Sequence, residues 1–571
     1  MQTTKTTINR ILINVLCVML VFGSFLKAKA DQPRDMVRYY LQTNQTPKAK
    51  SLLLKELSSK IITSDRTYLL GKLYVVENKT DSAQIIFNTL NPAVEDQRLL
   101  SLIGKSLIDI SKGSKSDVAL RMLKELKSLK STKSPMVKIE AAYVLALVNE
   151  KDKAWDFIEQ ACTLQPVSAE TFVAAGDVYI RLSSLLKDNS LYGKACGRFE
   201  QALLVDKNYL PALTALGKAY TDSRNFGEAR QKLQQAIEVD STWIPALQLM
   251  GELQYDLGNY KKASYYYSKY IASIKPDKEQ LQKYAYILYF DQDHAKANEI
   301  ISTLLKDDPN NRVLLRLMAY TSCELKDTTR GMQAMQKFMN LKTTNDSVRF
   351  LSSDFEYYGR LLSLESKDSL AVQQYLKAIQ YDTTVMSNYE YLAKSYEKLK
   401  DFEGAMAAYN KLTLDPKATS TTWFSKGRNL LLLAEEIKSA GDSVKYVNVL
   451  NDAVLSFRKV TEMSPNSHLG YLWEGRALAA LDPESTQGLA EDSYKKAIEI
   501  LEAKNQTDKY KSELIEAYSY MGYLYYLKNE ATRKTGITDT DNKSVSLEYW
   551  NKILTLDPTN QAAIQATKAL K

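Results

Sequence analysis

Apolar and polar positions alternate along this chain in amphipathic stretches of about a dozen residues, separated by short polar breaks. Ala229, Ala263 and Ala297 recur at an identical step of 34 residues. Around each the same grouping returns. Gly217 and Tyr220 lead into Ala229, Leu233 and Ala236; Gly251 leads into Ala263 and Tyr267; Ala285 leads into Ala297, Ile301, Leu304 and Pro309. A small residue in one stretch lets two helices cross closely, and a larger side chain four beyond the alanine fills between units. The period predicts an all-α chain of paired antiparallel helices.

The register extends both ways. Gly176, with Tyr179, leads into Ala195, Phe199 and Ala202, and Ala142 leads into Ala154, Ile158, Ala161 and Pro166. Nearer the N-terminus Val37 leads to Ala49 and Leu53, and Gly71 with Tyr74 leads to Ala83 and Phe87. Residues 98–134 match poorly, with Gly104, Leu123 and Leu126 as anchors. In the other direction Ala319 precedes Met335 and Phe338, Gly359 precedes Ala371, Tyr375 and Ala378, and Ala393 with Tyr396 precedes Ala405, Tyr409 and Asp415-Pro416. Gly427 pairs with Ala453, Phe457 and Pro465 across about fourteen extra residues that include Ala440-Gly441-Asp442, read as an insertion between helices. Gly475 pairs with Ala490, Tyr494 and Ala497, and Gly522 with Trp550, Ile553 and Asp557-Pro558.

This pattern resembles the tetratricopeptide repeat (TPR) family, most clearly over residues 169–311 and 386–465. The resemblance implies a superhelical solenoid of about 13–14 helix-turn-helix repeats closed by a C-terminal capping helix at 561–571. The regions expected are a signal peptide (1–30), divergent repeats (31–168), a central array (169–419) and C-terminal repeats with lengthened helices and insertions (420–571).

The leader reading rests on Lys5 and Arg10, an almost unbroken apolar run from Ile11 to Leu26, and the small-x-small site Ala28-Lys29-Ala30. That is the form of a secretory signal peptide cut before Asp31; the rival reading is a retained anchor. Asn14-Val15-Leu16 ahead of Cys17 do not make a lipidation site. The protein is thus expected to be exported, to a bacterial periplasm, membrane-proximal but soluble once processed. Losing Lys5, Arg10, Lys27 and Lys29 brings the net charge of +9 down to +5, too mild to point to nucleic acid. The remaining cysteines, Cys162, Cys196 and Cys323, are odd in number. Cys162 is placed near the end of one helix and Cys196 near the start of the next, beyond disulfide reach, so all three read as small buried apolar residues.

Catalytic signals are sparse. His294 and His468 fall between predicted helices and read as solvated turn residues. Neither shows the His-x-x-x-His or Glu-x-x-His spacing of a metal site, and there is no Gly-x-Ser-x-Gly or Gly-x-x-x-x-Gly-Lys. No cofactor is expected. The segments 434–448 and 529–545 are too short to build an enzyme pocket alone.

Binding is the function the resemblance implies, because in TPR arrays the first helix of each unit lines the groove that receives peptides. The residue after each small position is then Lys72, Lys218, Glu252, Tyr286, Tyr320, Arg360, Lys394, Arg428, Arg476 and Tyr523, with Tyr255 and Tyr289 one turn further on. Tyr255, Tyr286, Tyr289 and Tyr320 are expected to pack on a partner protein or peptide, and Arg360, Lys394, Arg428 and Arg476 to pair with its carboxylates. The bland alternative is a Lys/Arg-rich helix surface without function. The carboxylate clamp for chaperone C-termini is not reproduced, since Lys218, Glu252 and Arg428 stand where Asn follows the glycine. A second reading is a glycan-binding outer-membrane accessory protein, which would need tryptophan platforms; Trp423, Trp473 and Trp550 fall at core positions instead.

Overall fold

In the computed structural model of the chain, residues 46–58, 63–90, 133–147, 150–165, 167–341, 349–504, 506–534 and 540–570 are described, with residues 37, 40, 41 and 106. The leader and most of 98–134, with Gly104, Leu123 and Leu126, lie outside them. The described residues form twenty-six helices and no strand. They fall into two compact units, one ending at Leu304 and one starting at Leu305.

The first unit shows the repeat most cleanly. Leu210–Asp222 is followed by Phe226–Val239, then Ile244–Asp256 by Tyr260–Ser273. Pro211 and Pro245 sit in the first turns of the leading helices, where the missing N–H costs nothing. Each leading helix closes in a left-handed residue: Arg224 at φ 60, Gly258 at φ 73, Gln292 at φ 65. The next N–H then reaches back to a carbonyl of the last turn, Asn225 to Tyr220 at 2.8 Å and Asn259 to Gln254 at 2.8 Å. This is a Schellman closure, repeated in the second unit by Asp327 to Ser322 and Asp401 to Tyr396, both at 2.9 Å. Gly258 and Gly441 meet the demand without a Cβ penalty; Arg224, Gln292, Lys326, Ser366 and Lys400 bear it. After the second helices an aspartate caps the break, accepting the N–H two residues on: Asp240 from Thr242 at 2.8 Å, Asp382 from Thr384 at 2.9 Å, Asp557 from Thr559 at 3.1 Å.

Between the helices of each pair lies a small core. Ala229, Ala263 and Ala297 are fully buried, and the glycines of the small positions face the large side chain of their own second helix. A Cβ built on Gly217 would stand 2.6 Å from Leu233, on Gly427 2.7 Å from Phe457, and on Gly522 2.7 Å from Trp550. Gly71 and Gly176 meet Phe87 and Phe199 the same way. Close approach, rather than backbone freedom, is what these positions require. At Gly359 the added methyl would lie 2.5 Å from a ring carbon of Tyr375, itself only 1% exposed. Gly359→Ala is therefore expected to lose about 1–2 kcal/mol, overpacking outweighing the gain in helix propensity. Urea denaturation reads this, and an unchanged or raised midpoint would refute it.

Where an insertion between helices was expected after Gly427, the structure has none. Ser420–Ala440 and Ser443–Met463 each run 21 residues and meet in a tight turn, Gly441 at φ 82 and Asp442 capping the Lys445 N–H at 3.0 Å. The extra residues add turns to both helices, burying Ala434, Ile437, Val449 and Leu450. Segment 529–545 is likewise taken up by Lys511–Lys534 and Thr540–Leu556, apart from 535–539 outside the described residues. The closing helix Gln561–Leu570 buries Ala563, Thr567 and Leu570. No helix among the described residues is long and apolar enough to cross a membrane.

Candidate protein-binding site

In the first unit three of the expected tyrosines come together. Tyr255 ends Ile244–Asp256, and Tyr286 and Tyr289 belong to Lys278–Phe290, which a capping box of Asp277 and Gln280 starts. All three are half-buried. Tyr255, Glu279, Gln282, Lys283 and Tyr286 line a shallow concavity of about 310 Å³. Lys283 crosses between the two first helices to Glu252 at 2.7 Å, fixing one edge. Behind the concavity the Tyr255 ring meets Phe290 edge-on at 5.8 Å and Tyr260 at 5.8 Å, while Tyr289 meets Phe290 at 5.0 Å. Burial raises the Tyr255 pKa, so the phenol is neutral and can donate a hydrogen bond across the physiological range.

The second unit corrects the expectation for Tyr320. It is 6% exposed, its ring stacks on Tyr357 at 4.1 Å, and its hydroxyl donates to Asp354 at 2.7 Å. A residue so enclosed offers no contact face to a partner, because the neighbouring first helix covers it. Of the four basic positions Lys394 and Arg428 are exposed and Arg360 and Arg476 half-buried, and all four are paired within the chain. Arg360 donates to Glu324 at 2.8 Å and lies over the Tyr357 ring at 4.7 Å. Burial pushes the pKa of neighbouring Glu356 up, with Arg360 pulling against it. Lys394 pairs with Glu390 at 2.5 Å, Arg428 with Glu397 at 3.4 Å, and Arg476 holds Glu516 bidentately at 2.8 and 2.6 Å. Each cation already has a carboxylate of the same chain. The sequence signal for this was present but unread: Glu324, Glu397 and Glu516 sit in first helices of adjoining repeats.

Both histidines open helices, His294–Asp307 and His468–Leu481. His468 is no solvated turn residue. It is 6% exposed, its Nδ1 accepts from Lys504 Nζ at 2.9 Å, and burial with the Lys504 charge holds its pKa below the ordinary value. His294 lies half-buried with its ring 5.7 Å from Tyr289. Among the described residues Cys162, Cys196 and Cys323 are unpaired thiols. Cys196 lies in the middle of Ser190–Val205 rather than near its start, and only Cys323 is fully buried, its pKa pushed up to about 12 by burial. Burial makes such thiols poor nucleophiles. Among the described residues no group of His, Cys, Asp and Glu could hold a metal ion. Trp550 is buried against Gly522, Trp473 packs on Phe424 and Phe457, and Trp423 is half-buried beneath Lys426.

The tetratricopeptide repeat family model matches residues 389–417, the helix pair around Ala393 and Ala405. No curated protein matches the chain in sequence. Among solved structures, the C-terminal part of a TPR repeat-containing protein from Cytophaga hutchinsonii is 30% identical, covering 50% of this chain and 98% of that one, at a TM-score of 0.39. A tetratricopeptide repeat protein from Parabacteroides merdae is 15% identical, covering 46% and 99% at a TM-score of 0.29. Pseudomonas aeruginosa pilF is 16% identical, covering 38% and 97% at a TM-score of 0.29. On the helix-pair period, the close fit of a small residue to a large side chain inside the pairs and the 30% identity over nearly the whole Cytophaga chain, this protein belongs to the tetratricopeptide repeat family.

Proposed function

We propose that this protein is a non-enzymatic scaffold of the bacterial cell envelope, exported by its leader, which holds partner polypeptides on the first-helix face of its repeats. Proteins of this family generally bind other proteins or peptides. The observation that carries the site is the concavity bounded by Tyr255 and Tyr286, with Lys283 and Glu279 at its rim. Tyrosine gives large contact area at small entropic cost, plus a hydroxyl that sets direction. The internally paired Arg360, Arg428 and Arg476 stiffen their own repeats in this reading, and the contact energy comes from the tyrosines.

The test compares wild-type protein with Tyr255→Ala/Tyr286→Ala as bait in an envelope extract, with captured proteins quantified by mass spectrometry. Loss of two central aromatic contacts at about 2 kcal/mol each is expected to lower specific capture at least tenfold. Equal capture by both baits would defeat the assignment of the tyrosine face. Finding the mature protein in the cytosolic fraction alone would defeat the envelope assignment.

A further inference from the structure

Unpaired positive charge gathers elsewhere in the first unit, on the side formed by second helices. Arg230 of Phe226–Val239 and Lys261 and Lys262 of Tyr260–Ser273 are exposed. None of the three has a carboxylate in ion-pair range among the described residues. They border a cleft of about 370 Å³ whose lining contains no acidic side chain. Its floor is Met250 and Gln254, and the rings of Tyr265 and Tyr266 form one wall. Tyr265 is 55% exposed and is held by Lys269, whose ammonium donates to its hydroxyl at 2.7 Å.

A buried polar group also faces this cleft. Gln254 is 3% exposed, and its carboxamide oxygen accepts from Asn259 at 3.1 Å. Its Nε2 is left with the Met250 sulfur at 3.4 Å, a weak acceptor for an amide so deeply placed. Donor capacity at the floor and three unpaired cations at the rim call for an acceptor-rich, anionic occupant.

We propose that this second-helix cleft is a second binding site, taking an extended carboxylate-rich peptide segment. The cations come from two successive repeats and aromatic and thioether surface lies between them. A compact inorganic anion would use the charges and leave the Tyr265 and Tyr266 faces idle, whereas a peptide strand uses both. The site is separate from the Tyr255–Tyr286 face and stands whether or not that face binds a partner.

Fluorescence anisotropy with a short fluorescein-labelled oligoglutamate peptide tests this on the purified mature chain. Arg230→Ala/Lys261→Ala/Lys262→Ala is expected to weaken binding about tenfold or more, the loss shrinking as salt is raised. Lys394→Glu/Arg428→Glu and Tyr255→Ala/Tyr286→Ala are expected to bind as wild type. The three lost cations lie on exposed helix surface, and circular dichroism checks that the fold is kept. The proposal is overturned if wild type does not bind the peptide, if the triple variant binds it equally, or if equimolar inorganic phosphate displaces it.

Discussion

Asp354→Ala is expected to destabilise the second unit by about 3–5 kcal/mol, because it strands a charge that the fold has removed from water. Asp354 is fully buried. Its Oδ1 accepts from Arg316 Nε at 2.7 Å and from the Tyr320 hydroxyl at 2.7 Å; its Oδ2 accepts from Arg316 Nη2 at 2.8 Å and from the Leu351 N–H at 2.7 Å. Four donors converge on one carboxylate. They come from three residues; Arg316 Nη2 also donates to the Arg349 carbonyl at 2.6 Å and the Tyr320 hydroxyl bonds Ser353 Oγ at 2.9 Å, but neither replaces the carboxylate as counter-ion to the guanidinium. Arg316 is only 14% exposed in its side chain and lies over the Phe338 ring at 4.9 Å. It cannot swing out without leaving that ring uncovered. Hydrogen exchange over Arg312–Glu324 and Ser352–Leu364 would show the loss as faster opening. Arg316→Met/Asp354→Leu, which removes both charges and keeps volume, is expected to recover most of it. If Asp354→Ala shifts the opening free energy by less than about 1 kcal/mol, the charge is not what holds these helices together.

Nothing in the sequence marked that network. Asp354 lies in the first turn of Ser352–Leu364, and a lone aspartate near a helix start reads as a cap; its partner Arg316 is 38 residues earlier, at no repeat step. What was legible was periodic. The alanines at the 34-residue step are fully buried, and each glycine of the small position touches the large residue of its second helix. Spacing alone carries such features, since a close crossing leaves room for one size of side chain. The first-helix face was legible as a set of positions but not as a surface. Tyr286 and Arg360 occupy equivalent places, yet one lines a concavity while the other is tied to Glu324. Which of the two occurs depends on what the neighbouring repeat places opposite, and that is decided by packing between units. The extra residues near Gly441 were misread for a related reason. A Gly-Asp pair signals a break without saying whether the chain loops out or simply turns between two longer helices.

The second large effect belongs to Phe457. It is fully buried, its ring fills the space left by Gly427, and it meets Phe424 at 6.0 Å and Trp473 at 5.9 Å. Phe457→Ala removes the ring that joins one repeat's helices to the next and is expected to cost about 3–5 kcal/mol. Because neighbouring repeats share their interfaces, the loss should reach Ser420–Ala440 and His468–Leu481 together and show as a separate early transition in urea. The pairing of sizes gives a sharper test. In another repeat Ala285 faces a unit whose second helix carries Ile301, alanine with a smaller aliphatic, where here glycine stands with phenylalanine. Gly427→Ala alone should cost about 1–3 kcal/mol, since the new methyl would lie 2.7 Å from the Phe457 ring. Combined with Phe457→Leu, the same alanine gains room, so the two changes together should cost less than the sum of the two alone. A double-mutant cycle measures that coupling directly. Strict additivity would mean that the small position and the large one are chosen independently, and the repeat would then owe its regularity to something other than the fit between its two helices.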